Sequence, residues 1–279
     1  MLCSMPKEDI EKKVELEIRK REREPRLKDK DLFEVVEEVF DRRTVLAVIE
    51  LRNRKCLKTL KGVVSAGKEA RVYWAKGFNN EDLAVKIYLT VTAEFRKSIW
   101  KYIRGDPRYE WIGNLPIHKL MVVWTRKEFS NLKRMHEAGV DVPKPICFYQ
   151  NVLVMEFIGK DGVRAPLLKE AWEQGLLGEE EAEDIFWKII ENVKRMYWKA
   201  GLVHADLSEY NVMLWNGKTY IIDVSQAVRL DHPHAHSFLQ RDLYNIYRFF
   251  SEDVGIEVPE PDELFKLVVE KSYREVEEE

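Results

Sequence analysis

The sequence predicts an α+β protein of two lobes sharing a cleft, the first built on an antiparallel sheet and the second mainly helical. Three observations predict it. Residues 58–88 and 146–157 carry strand patterns punctuated by tight turns, whereas residues 180–200 and 240–251 repeat apolar side chains at helical spacing. A chain of 279 residues with 45% apolar content can supply a core to each lobe. In the second half, two β-rich runs flank Asn216-Gly217, the dipeptide favoured by a type I′ hairpin turn.

Composition excludes several classes of protein. Lys+Arg 46 balance Asp+Glu 49, so no global field draws the chain to nucleic acid or to a membrane, and any basic surface is local. Cys3, Cys56 and Cys147 lie far apart without C-x-x-C spacing, which argues against a disulfide framework and a zinc site and for the reducing cytoplasm. The start is charged rather than apolar, and no run approaches the roughly 18 apolar residues of a membrane helix, so neither export nor insertion is expected.

Taken in order, residues 7–30 are mostly charged, with Ile10, Val14 and Ile18 on one narrow stripe, and read as a solvated helix or as an arm for RNA or a partner protein. Asp31 with Glu34 resembles a capping box, and Leu32, Val35, Val39, Leu46 and Ile49 keep helical spacing with a break near Asp41. Two strands around a tight loop at Ser65-Ala66-Gly67-Lys68-Glu69 come next, then a third strand over residues 83–88. Gly62 to Lys68 also fits G-x-x-x-x-G-K, but Glu69 stands where Ser or Thr would hold magnesium and no helix follows. A strand-loop-strand flap over phosphates fits better.

Residues 90–119 form a long connection broken by Gly105, Pro107, Gly113 and Pro116. Its Trp100, Tyr102, Tyr109 and Trp111 alternate with basic residues and could either stack on RNA bases or fold back on the lobe. A helix over residues 124–138 ends at Gly139, and a hairpin over residues 146–157 runs into a linker between lobes that offers backbone groups to an adenine. His232, His234 and His236 read as a polar loop rather than a metal cluster, since no spaced fourth ligand accompanies them.

The chemistry concentrates in His204-Ala205-Asp206-Leu207-Ser208-Glu209-Tyr210-Asn211, an H-x-D-x-x-x-x-N run. Asp206 can accept a hydroxyl proton, Asn211 can ligate a divalent metal, and the Asn216-Gly217 hairpin returns a second carboxylate, Asp223, to the same end. Lys86 sits in A-V-K, a strand lysine suited to phosphate oxygens, and Glu128 on the following helix is its expected partner. His204 reads as structural. Together these are the parts of phosphoryl transfer from ATP with Mg2+ or Mn2+.

These residues resemble the RIO-type atypical serine/threonine protein kinases, and within them the first RIO subfamily in its archaeal form. Ser65-Ala66-Gly67-Lys68-Glu69-Ala70 is similar to the S-T-G-K-E-A phosphate loop with Ala66 in place of Thr. His204 to Asn211 matches the catalytic loop, and Ile222-Asp223 with Ser225-Gln226-Ala227 resembles the metal loop. Lys127-Glu128-Phe129 and Met155-Glu156-Phe157-Ile158-Gly159 resemble the glutamate helix and the hinge. The resemblance implies a two-lobed kinase-like fold without an activation segment. It divides the chain into a charged arm (1–30), family-specific helices (31–56), an N-lobe (57–157) with a flexible loop at 90–119, and a C-lobe (158–279) with a hinge about 156–162. It further implies that Ser65, Ala66, Gly67, Lys68, Glu69, Lys86, Glu128, Met155, Glu156 and Ile158 bind the nucleotide, and that Asn211 and Asp223 bind the metal. The implied activity is autophosphorylation or phosphorylation of a protein serine, with a role in maturing the small ribosomal subunit through its rRNA and protein precursors. The alternatives are an ATPase switch that forms an aspartyl-phosphate at Asp223, and a small-molecule phosphotransferase.

Overall fold

The computed structural model describes residues 41–89, 93–109, 111–113 and 115–270. The arm expected over residues 1–30 and the capping box expected at Asp31 lie outside them. Helix α1 (Arg42–Asn53) begins where the break was expected, because the Asp41 side chain accepts the Thr44 N–H at 2.9 Å and caps it. Its Ala47, Val48 and Leu51 are buried.

The first lobe is one antiparallel sheet of β1 (Thr59–Ala66), β2 (Ala70–Lys76), β3 (Asp82–Tyr88), β4 (Pro145–Tyr149) and β5 (Val152–Glu156), in the order β1-β2-β3-β5-β4. Strand β3 is central, and Leu83 to Tyr88 are all buried, Lys86 included. The strand-turn-strand path of β1 and β2 is that of a flap. Helix α1 packs on β4, and Cys56, just past α1, is bridged to Cys147 on β4 with Cα atoms 6.3 Å apart. This corrects the expectation of no disulfide. The two cysteines are 91 residues apart in the chain, and the packing of helix on strand, which spacing does not report, brings them together.

The long connection is also more ordered than its breakers suggested. It contains α2 (Ala93–Ile103), whose Ile99, Tyr102 and Ile103 are buried at helical spacing, and leads into α3 (Ile117–Glu137), which starts well before residue 124. Tyr102 and Tyr109 are buried, and the Tyr102 ring packs at 6.4 Å from Trp124 and 5.7 Å from Phe238. Of the two readings of this aromatic stretch, folding back on the protein is the one present, with exposed Trp111 as the exception.

The second lobe opens with a small hairpin, β6 (Gly159–Lys160) and β7 (Val163–Arg164), and α4 (Leu168–Glu173), neither of which the sequence pattern announced. Helix α5 (Glu179–Trp198) starts on three glutamates that favour a helix N-terminus, and Glu181 accepts the Gly178 N–H at 3.0 Å. It buries Ile185, Phe186, Ile189, Val193 and Met196. Strand β8 (Leu202–Val203) leads into the H-x-D run, and β9 (Val212–Trp215) and β10 (Lys218–Ile221) form the expected hairpin. Asn216 and Gly217 both have positive φ, 49° and 74°, as a type I′ turn requires. Strand β11 (Val228–Arg229) pairs with β8, so Val203 lies opposite Val228 and the segments before Asp206 and after Asp223 are bound together. Helix α6 (Ala235–Arg248) continues as a π-helical stretch, Phe249–Val254, and stops at Gly255 with φ 85°. Pro261 stands at the start of α7 (Pro261–Val269), where its missing N–H costs nothing. Among the described residues no helix is long and apolar enough to cross a membrane.

Candidate functional site

Two loops at the ends of the β9–β10 hairpin supply the site. The register of the hairpin carries Asn211 to the base of Asp223, and the Ile222 N–H donates to the Asn211 carbonyl at 2.9 Å. Across from them, β3 presents Lys86. Its Nζ donates to Glu128 Oε1 on α3 at 2.7 Å and to Asp223 Oδ1 at 2.8 Å. The pairing of Lys86 with Glu128 expected from their order along the chain is therefore present, and Asp223 joins it. Tyr88, two residues along β3, donates its hydroxyl to the other Glu128 oxygen. Burial alone would lower the Lys86 ammonium, but Asp223 and Glu128 hold it well above its ordinary value. Burial likewise works to raise the Asp223 carboxyl, and Lys86 outweighs it, so Asp223 titrates below the usual carboxylate range. Its side chain remains 47% exposed.

Asp206 is half-buried. Gln226 Nε2 donates to its Oδ2 at 3.1 Å, and Asn211 Nδ2 donates to its backbone carbonyl at 2.7 Å. Burial raises the Asp206 carboxyl, with Arg241 opposing. The backbone on either side is firmly held. Buried Asp242 on α6 accepts the Ala205 N–H at 2.7 Å and the Leu207 N–H at 2.9 Å, Asn245 donates to the Leu207 carbonyl at 3.0 Å, and Arg241 donates to the Ala205 carbonyl. Burial pushes the Asp242 carboxyl up to about 8 despite those N–H donors. Ala205 and Asp223 are both non-glycine residues with positive φ, 69° and 57°. Backbone strain of this kind persists only where surrounding contacts over-determine it. His204 Nε2 contacts the Ile222 carbonyl at 3.0 Å, while Nδ1 is buried without a hydrogen-bond partner. Burial lowers this ring to about 4, so it is neutral and structural.

The loop after Asp223 is held from α3. Lys127 Nζ donates to the Ser225 carbonyl at 2.8 Å and to that of Ala227, and Asn131 Nδ2 donates to the Val224 and Ala227 carbonyls at 2.9 and 3.1 Å. Asn131 Oδ1 in turn accepts from Arg108, whose guanidinium is paired with buried Asp106.

The loop between β1 and β2 is organised differently. Ser65, Ala66, Gly67, Lys68 and Glu69 are all exposed, and the turn is closed by the Gly67 N–H donating to the Ala70 carbonyl at 3.0 Å. Partial burial, and then Asp223, raise the Glu69 carboxyl above its ordinary value. Met155 lies opposite Ala84 at the end of β5 and Glu156 opposite Leu83. The Glu156 N–H donates to the Lys144 carbonyl and the Ile158 carbonyl accepts from the Ala165 N–H, so those two backbone groups are already engaged.

Asp242 and Asn131, and the contacts made by Gln226 and Lys127, were not anticipated. For three of them the signal was present but inverted: a polar residue interrupting an apolar helical stripe, Asp242 between Leu239 and Ile246, and Lys127 and Asn131 between Trp124 and Met135. The His232 ring is engaged with backbone on both sides. His232 Nε2 contacts the Arg104 carbonyl at 2.9 Å and its Nδ1 accepts the His234 N–H at 3.1 Å, and among the described residues no three His, Cys, Asp or Glu side chains gather at metal-holding distance.

Comparison with known proteins supplies a context for this geometry. A family profile described as "RIO domain" matches residues 71–264. The serine/threonine-protein kinase RIO1 of Caenorhabditis elegans is 44% identical over 265 residues, 94% of this chain and 50% of that protein. The RIO-type serine/threonine-protein kinase Rio1 of Haloferax volcanii is 42% identical over 225 residues, 81% of this chain and 74% of that protein. Human serine/threonine-protein kinase RIO1 is 41% identical over 88% of this chain and 43% of its own length. The chain thus spans about half the length of the animal relatives. Among solved structures, the Rio2 kinase-ADP/Mg2+-phosphoaspartate complex from Chaetomium thermophilum superposes with a TM-score of 0.60 at 22% identity, covering 80% of this chain and 65% of that one, a likeness of fold alone.

Proposed function

The chain belongs to the RIO kinase family, and from that premise we propose that it transfers the γ-phosphoryl group of ATP to a serine hydroxyl, its own or that of a protein partner. One observation carries the reading: a single buried lysine, Lys86, bonded at once to Glu128 and to Asp223, with Asp206 and Asn211 on the adjoining loop. That is a positive charge for phosphate oxygens, a metal-binding carboxylate and a proton acceptor converging from four separate segments.

In this reading Lys86 neutralises phosphate oxygens and Glu128 keeps its ammonium in place. Asp206 accepts the proton of the acceptor hydroxyl as its oxygen bonds to the γ-phosphorus and the bond to the β–γ bridging oxygen breaks, releasing ADP. The chemistry of the donors suits Mg2+ or Mn2+. Asp223 is ionised and half-exposed, and Asn211 has its amide N–H engaged, leaving the amide oxygen as donor. When bound, the cation neutralises charge on the transferring group. The flap from Ser65 to Glu69 covers the phosphates, and the segment of Met155, Glu156 and Ile158 borders the adenine. The archaeal form of the first subfamily is the placement we favour on the motif resemblance, alongside 42% identity to the Haloferax relative. Action on a precursor of the small ribosomal subunit rests on the family resemblance.

A second reading is favoured by Asp223 itself, whose ionised carboxylate is half-exposed on a left-handed backbone. It could attack the γ-phosphorus, displace ADP and form an aspartyl-phosphate that water then hydrolyses. Following [γ-³²P]ATP with the purified protein separates the two. Label on the protein that resists acid and hydroxylamine, with little free phosphate, is expected for a serine kinase. Hydroxylamine-labile label with continuing phosphate release would replace that conclusion with an ATPase switch.

A further inference from the structure

Lys127 is among the most deeply buried charged side chains described, 0% exposed, and the chemistry above does not use it. It is adjacent in sequence to Glu128, and on an α-helix consecutive side chains point about 100° apart. Glu128 therefore reaches Lys86 while Lys127 reaches the metal loop. The loop carbonyls need such donors. Ile222 is contacted by His204, Val224 by Asn131, Ser225 by Lys127, and Ala227 by both Lys127 and Asn131. In the middle of this set Asp223 holds φ 57°, a conformation that costs a non-glycine residue on the order of 1–3 kcal/mol and reverts unless its neighbours prevent it.

We propose that Lys127 is a positioning residue that holds Asp223 in its metal-binding conformation, and that Lys127 and Asn131, one helical turn apart, make the glutamate helix and the metal loop a single mechanical unit. A helix that moved away to release Glu128 from Lys86 would have to strip two or more buried carbonyls of their donors, each at about 1–3 kcal/mol. The site is thereby assembled from within the fold, by contacts of α3 with the loop that follows Asp223. Removing the Lys127 amine leaves the Ser225 carbonyl without its donor, and the loop relaxes to satisfy it. Asp223 then leaves its left-handed conformation. Side chains that orient a metal ligand typically cost about 10–100-fold in metal affinity when removed, and that is the effect expected here. The inference rests on the reading of Asp223 as a metal ligand.

The test is the Mg2+ requirement for ADP binding, read by thermal denaturation without turnover. Melting is followed for the wild type and for Lys127→Met, which fills similar volume without donors, with no ligand, with ADP, and with ADP over a Mg2+ titration. The expected result is that Lys127→Met keeps the stabilisation by ADP alone but needs about tenfold more Mg2+ for the half-maximal increment. Asn131→Ala, which spares Lys127, should raise the requirement by a smaller factor and serves if Lys127→Met fails to fold. A folded variant that melts earlier yet shows the wild-type Mg2+ midpoint would reduce Lys127 to a packing role and overturn the proposal. Absence of any Mg2+ increment in the wild type would instead defeat the metal-ligand reading of Asp223, and this inference with it.

Discussion

The two sides of the cleft are built on opposite principles. On the side of Asp206 and Asp223, backbone groups of both loops are bonded to side chains from other elements: buried Asp242 and partly buried Asn245 from α6, buried Lys127 and Asn131 from α3, and buried His204 just past β8. On the side of the loop between β1 and β2, Ser65 to Glu69 are exposed and the turn is closed by a local backbone bond. The difference teaches where precision is required. On the proposed reading, groups that move a proton or hold a cation gain from being fixed before the substrate arrives, whereas a loop that closes over phosphates through backbone N–H groups can settle on the ligand itself.

The comparison breaks most visibly at the carboxylates. Asp206→Asn and Asp223→Asn should each lower turnover of [γ-³²P]ATP by at least about a hundredfold, as loss of a positioned base or metal ligand does; near-wild-type turnover in Asp206→Asn would remove Asp206 from the role of base. Next comes the support beneath them. Asp242→Leu leaves the Ala205 and Leu207 N–H groups buried without an acceptor, and at about 1–3 kcal/mol each the protein should lose about 2–6 kcal/mol of stability to urea, with turnover falling alongside. A loss below about 1 kcal/mol would mean that the loop is held chiefly by Arg241 and Asn245.

The His204 contribution can be isolated by pH. Its folded value of about 4 lies below the ordinary 6.5, so the unfolded chain takes up a proton that the folded one refuses. Stability should therefore be undiminished above pH 6.5 and fall as pH drops from about 6.5 to about 4. The total loss is about 3 kcal/mol at about 1.4 kcal/mol per pH unit, and His204→Gln should lack it. Equal pH slopes for the two proteins over that window would show that the ring is not buried neutral. The smallest effect belongs to the flap: Ala66→Thr restores a hydroxyl at an exposed position and should change the KM for ATP by no more than about two- to threefold. A much larger change would show that the loop is as tightly specified as the catalytic side, and the contrast between the two would fail.

Much of this was legible in the linear sequence because it depends on neighbours along the chain. Asn216-Gly217 dictates the turn through its positive φ values, the turn sets the register of β9 on β10, and the register delivers Asn211 to Asp223. The helix over residues 180–200 and the flap at residues 65–69 follow from spacing and from loop residues in the same way. The long connection before α3 was less legible, because its glycines and prolines mark the ends of α2 and α3 as readily as they mark a loop.

What only the tertiary structure decided are the meetings across the chain. Lys86, already expected to meet Glu128, also finds Asp223 at 137 residues' distance, and Cys56 finds Cys147 at 91. Asp242, Lys127 and Asn131 looked like polar faults in apolar helix faces. Their acceptors and donors are backbone groups, which every residue possesses, so no residue type in the sequence could identify the partner. A buried polar side chain acquires its meaning from whatever stands opposite it when the helix packs, and in this protein what stands opposite is the backbone of the two loops that carry Asp206 and Asp223.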